Sequence, residues 1–207
     1  MRKFGYKIAD LVAIGMIVAL SGCSDAASNP APEPAPAVTT DLTVDKILNE
    51  TGLEDLSVEE IINKLDKISL TDRSKEFTAS VRHDEIIFGD ASTGQEVGTL
   101  EISGDKQYVS FAPYVEETHD CYYHSLTTCV GELSDEEMHL TIVNDTTDET
   151  VIDENIRTFD NGFYGVWLDK DESYTVTFEY DDYSGTGTYT TDEDSATCVS
   201  DLQLTKE

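Results

Sequence analysis

The stretch ETHDCYYHSLTTC, residues 117–129, holds His119, Cys121, His124 and Cys129, half of the four histidines and half of the four cysteines in the chain. Thiolate sulfur and imidazole nitrogen are the donors that Cu(I) and Zn(II) prefer, and the same sulfurs, once oxidised, close disulfides. Cys121 and His124 are three residues apart, so one helical turn or a tight loop puts them on the same side. Cys121 and Cys129 would stand about 26 Å apart on an extended chain; to meet, the polar residues 125–128 must fold back as a loop. Cys198 opens the last apolar run and joins them only if the fold carries that run beside the loop. The spacing H-x-C-x2-H-x4-C matches no zinc-finger arrangement.

What these groups do depends on the compartment. Arg2, Lys3 and Lys7 form a basic start, residues 8–20 are apolar apart from Asp10, and the run ends in Leu20-Ser21-Gly22-Cys23. This reads as an export signal over 1–22, too short to span a membrane, with Cys23 as the lipid-bearing first residue of a mature lipoprotein. Residues 23–40, rich in Pro and Ala with four of the five prolines, read as an extended tether. The expected location is outside the cytosol, on the outer face of the cell membrane or in the periplasm. With 43 acidic against 13 basic residues the net charge is −30, and more negative still without the signal. A chain so acidic is repelled by a phosphate backbone, which excludes nucleic acid as a partner. DKDESYTVTFEY offers Asp169, Asp171 and Ser173 as calcium ligands, but Tyr174 and Tyr180 stand where such a loop needs Gly and Glu.

If lipid occupies Cys23, three cysteines remain, and an odd number outside the cytosol leaves a thiol to explain. Three readings stay open on residues alone. One is a Cys121–Cys129 disulfide with Cys198 buried as a small hydrophobe, in a disulfide-stabilised β-sandwich binding module without metal. Another is a metal site of two or three thiolates with one or two imidazoles. The third is a thiol–disulfide enzyme, against which stand the lack of Cys-x-x-Cys and of a βαβ pattern.

The elements that must position these groups fall into two regions. Over 41–106 the spacing predicts a short helix at 44–49, stopped at Gly52, and a second helix opened by the capping box Ser57/Glu60, with Val58, Ile61, Ile62, Leu65 and Ile68 on one face. These helices read as packing elements without chemistry. Apolar runs at 77–82, 85–89, 97–102 and 107–112, separated by turn signals, predict a small β-meander. Over 107–207, MHLTIVN, YTVTFEY, GTGTYTT and CVSDLQL read as strands, and Asn161-Gly162 in FDNGFYGVWL reads as a hairpin turn. The expected class is α+β: a short helical segment with a β-meander, then an antiparallel β-sandwich-like domain whose core includes Phe163, Trp167 and the tyrosines. His139 alternates outward and His83 lies in a turn, neither with an assigned role.

FAPYVEETHDCYYHSLTTCVGEL resembles the signature of the CueP family of exported bacterial copper-resistance proteins, and FDNGFYGVWL and DSATCVSDLQL are similar to its later landmarks, in the same order. The resemblance runs from about residue 42 to the end. It implies copper as the bound ion, with Cys121, Cys129, Cys198 and His124 as ligands and His119 as a weaker candidate. It also implies a thiol-dependent Cu(II) to Cu(I) step, for which Cys121 and Cys129 are the expected redox pair, and a homodimer. The protein that receives the copper and the reductant that resets the thiols are not identified by it. The lipobox and tether depart from the soluble members, so a freely diffusing role does not carry over.

Overall fold

The computed structural model describes residues 41–206; the expected export signal, the expected lipid-bearing Cys23 and the expected tether lie outside them. Helix α1 (Val44–Thr51) is capped by the Thr43 side chain and stopped by Gly52 at φ 65°, a left-handed conformation that glycine adopts without strain. Helix α2 (Val58–Asp66) opens on the expected capping box, with Ser57 and Glu60 bonding each other's backbone. The predicted meander forms as β1 (Phe77–Val81), β2 (Glu85–Asp90) and β3 (Glu96–Glu101), an antiparallel sheet in sequence order. The apolar faces of α1 and α2 pack on it, burying Ile47, Ile61, Ile62, Leu65, Phe77, Ile86 and Phe88 in one cluster.

Two further sheets make the sandwich. One has the order β10 (Cys198–Val199), β4 (Lys106–Phe111), β7 (Tyr164–Asp169); the other has β11 (Thr205–Lys206), β9 (Tyr183–Thr190), β8 (Ser173–Tyr180), β5 (Glu137–Asn144), β6 (Glu149–Arg157). Val109, Phe111, Val166 and Leu168 from the first meet Met138, Leu140, Ile142, Val176 and Phe178 from the second in a separate core. Strand β4 is buried from Gln107 to Phe111 because it serves both cores. Side chains alternate along a strand, so Val109 and Phe111 enter the sandwich while Tyr108 packs in the helical cluster. The class is thus α+β with a β-sandwich, as expected.

Two local expectations need correction. Asn161-Gly162 does not join a hairpin: β6 pairs with β5, whereas β7 pairs with β4 in the other sheet. The turn is where the chain crosses between sheets, and its signal was the same as a hairpin's because Gly162 takes φ 76°. Trp167 and Phe163 are not sandwich core. Trp167 packs on Tyr108 and bonds Asn63 in the helical cluster, and Phe163 forms a third, small cluster with Ala112 and the cysteines.

Candidate metal centre

Three separate segments build the site. Residues 124–126 add to the open edge of β1: Val81 N donates to His124 O at 2.8 Å, and Leu126 N to Ala79 O at 2.9 Å. The next residues turn back as expected, with Cys129 N donating to Ser125 O at 3.1 Å and Ser125 N donating to Cys129 Sγ at 3.3 Å. Cys198 arrives on β10, whose parallel pairing sets it opposite Ser110 of β4. Tyr122 O accepts from both Thr197 N and Cys198 N, which ties the two segments together.

Cys121 is bonded to Cys198 across 77 residues, and Cys129 is free, with its Sγ 3.5 Å from Cys121 Sγ. Of the readings left open by the sequence, the one that paired Cys121 with Cys129 is corrected: the partner of Cys121 is Cys198. The reason is topological: β10 delivers Cys198 to the same point as the loop, which sequence spacing does not reveal. All three sulfurs meet in the cluster around Phe163. A His124 ring nitrogen, Cys129 Sγ and Cys198 Sγ lie within 4.8 Å of one another, as do His119, Cys121 and Cys129. His139 bonds Asp153 and Asn155 on the surface, and neither it nor His83 takes part in either set.

His124 is fully buried, its Nε2 2.8 Å from Asp66 Oδ1. Asp66, also fully buried, ends α2. Its carboxylate accepts from Asn161 Nδ2 at 2.9 Å, Tyr108 Oη at 2.7 Å and Ser110 Oγ at 3.2 Å. Burial pushes this carboxyl up, but the His124 charge and the hydrogen bonds from His124, Tyr108 and Asn161 hold it below the ordinary value. Burial would lower His124; the Asp66 carboxylate outweighs it and carries the imidazole up to about 9. For Cys129, burial pushes the thiol up and the adjoining His124 imidazole more than offsets it, leaving the pKa below the usual value. His124 Nδ1 is buried without a hydrogen bond, on a ring that Asp66 fixes from the other side; a metal held there would replace the proton that the raised pKa keeps on this nitrogen. Soft sulfur, one orphaned imidazole nitrogen and an apolar Phe163 floor, 4.6 Å from the His124 ring centroid, fit a soft monovalent metal.

Two contributors were missed by sequence reading. Asp66 sits on the apolar face of α2, four residues after Ile62, and a carboxylate at a core-facing position was the available signal. Arg73, 9% exposed, donates from Nη1 to Cys129 O at 2.8 Å; no pattern in the sequence marked it. Tyr122 and Tyr123 are exposed, stacked edge to face 4.8 Å apart with the Arg82 guanidinium 3.8 Å over Tyr123.

A family model described as "Periplasmic copper-binding protein CueP" matches residues 60–203. A solved structure described as "Crystal Structure of S.CueP" superposes with a TM-score of 0.71 at 29% identity, covering 81% of this chain and all of that one. No curated protein sequence matches the chain.

Proposed function

Since the chain belongs to the CueP family of periplasmic copper-binding proteins, copper is its metal, and we propose that it captures Cu(I) at the Cys–His cluster and reduces Cu(II) with its own thiols. The observation that carries this reading is the free Cys129 thiol beside the buried, unpartnered His124 Nδ1, 3.5 Å from a disulfide sulfur. In the fully reduced chain, Cys121 and Cys198 lose two protons and give one electron to each of two Cu(II) ions. Their sulfurs then close the bond seen here, and two Cu(I) result. The redox pair we assign is thus Cys121 and Cys198, in place of the Cys121–Cys129 pair expected from the family resemblance. Cys129 and His124 remain to retain Cu(I), with Asp66 holding the ring and Arg73 holding the loop. A dithiol donor outside the cytosol resets the disulfide, and an acceptor protein takes the copper.

Lipid on Cys23 places this chemistry at the outer face of the membrane, with residues 23–40 as the tether, in a protein that acts as a homodimer for copper resistance. Anaerobic titration of the pre-reduced chain with Cu(II) tests the reading, following Cu(I) by chelator colour and thiols in parallel. Two thiols should vanish as two Cu(I) appear, and peptide mapping of the product should find the new bond between Cys121 and Cys198. Copper that stays Cu(II) with all thiols intact would rule out reduction.

A further inference from the structure

The five donors do not form one set. They divide into two groups with a single shared member: His119, Cys121 and Cys129 on one side, His124, Cys129 and Cys198 on the other, each group with ligand atoms within 4.8 Å of one another. Their surroundings differ in a consistent direction. In the outer group His119 is exposed and Cys121 half-buried, and this group lines a cleft of about 500 Å³ that includes Asp120. In the inner group His124 is fully buried and Cys198 is 2% exposed. Phe163 lies against both imidazoles, with ring centroids 6.3 Å from His119 and 4.6 Å from His124.

We propose that the reduced protein has two Cu(I) positions, an outer one made by His119, Cys121 and Cys129 and an inner one made by His124, Cys129 and Cys198, which share the Cys129 thiolate. This rests on the copper-binding reading above and refines it. A thiolate sulfur has lone pairs enough for two soft ions, so Cys129 either bridges two Cu(I) or keeps hold of one while its other ligands change. In the second case Cys121 gives way to Cys198 and His119 to His124, so an ion passes from the solvent side to the buried side without ever being free. The Cys121–Cys198 disulfide takes one sulfur from each group, so oxidation empties both positions of a ligand at once. Restoring them requires two electrons and two protons, supplied by a dithiol reductant. Arg73, bonded to the Cys129 carbonyl, fixes the pivot of both groups.

The test is an anaerobic titration of the full, dithiol-reduced chain with Cu(I) against a competing coloured chelator, with circular dichroism to confirm that each variant is folded. Wild type should take two Cu(I) in two resolved steps. His119→Ala should lose the weaker step and keep the tighter one, His124→Ala should lose the tighter one, and Cys129→Ser should lose both. Two equivalents should also give a copper–copper scattering shell in X-ray absorption that one equivalent lacks. A single equivalent that depends on Cys129 but not on His119 would overturn the two-position proposal and leave copper binding standing. No Cu(I) bound by wild type would overturn both.

Discussion

Replacing Asp66 by Asn keeps the size of the side chain but removes the charge that organises the centre. Asp66 holds His124 in its protonated form, up to about 9 against an ordinary 6.5, and this difference corresponds to about 3 kcal/mol at about 1.4 kcal/mol per pKa unit. Because the folded-state value is raised, this contribution is fully present below pH 6.5 and is lost as the pH rises through about 9. The depressed Asp66 carboxyl reports the same interaction from the other side and is not added to it. Removing one partner of a buried ion pair costs about 3–5 kcal/mol. Asn still offers an acceptor to some of Tyr108, Ser110 and Asn161, so we expect the lower end. At about 2–4 °C per kcal/mol for a domain of this size, Tm at pH 6 should fall by about 6–12 °C. The gap between wild type and Asp66→Asn should narrow toward pH 9. The same change frees the His124 ring, and Cu(I) affinity should drop about 10–100-fold, as for other residues that orient a ligand. Urea unfolding across pH, chelator competition and NMR titration of the His124 ring measure all three. A stability within about 0.5 kcal/mol of wild type, the range of an ordinary surface substitution, with a His124 that still titrates near 9, would refute the reasoning.

Other expected outcomes concern the sulfurs and the turn beneath them. In air-isolated, denatured protein one thiol among Cys121, Cys129 and Cys198 should react with a maleimide, and none in Cys129→Ser. In Cys198→Ser the freed Cys121 should pair with Cys129, whose sulfur is 3.5 Å away, and peptide mapping would find that bond. Gly162→Ala should destabilise the chain, since a β-carbon there would fall 2.6 Å from Gly131 O at φ 76°. The left-handed backbone alone costs about 1–2 kcal/mol, overpacking adds about 1–3 kcal/mol, and thermal unfolding would read the sum. His139→Ala should leave Cu(I) affinity unchanged in the chelator assay, because that ring bonds only Asp153 and Asn155 on the surface.

Much of the frame was legible from local signals. The Ser57/Glu60 box, the Gly52 stop and the alternation of Met138, Leu140 and Ile142 each depend on neighbours within a few residues, and each element formed where expected. The donor types were visible in the sequence too, since clustered cysteines and histidines need no tertiary knowledge; their role as copper ligands is the reading proposed above. What escaped was set by distance along the chain. The partner of Cys121 lies 77 residues away and is chosen by the parallel β4–β10 pairing. The buried partners of Asp66 come from β4, residue 124 and residue 161. Asn161-Gly162 misled because a turn signal reports backbone sign, not which strands the turn connects. Its Asn turned out to donate to Asp66 while accepting from Phe163 N, so the turn supports both the anchoring carboxylate and the apolar floor.

The most direct test of the copper centre is X-ray absorption at the copper edge of the reduced chain loaded with one equivalent of Cu(I). The account predicts a shell dominated by sulfur with one imidazole, the imidazole signal vanishing in His124→Ala and the sulfur diminishing in Cys129→Ser. A shell of oxygen and nitrogen alone, unchanged in both variants, would contradict it.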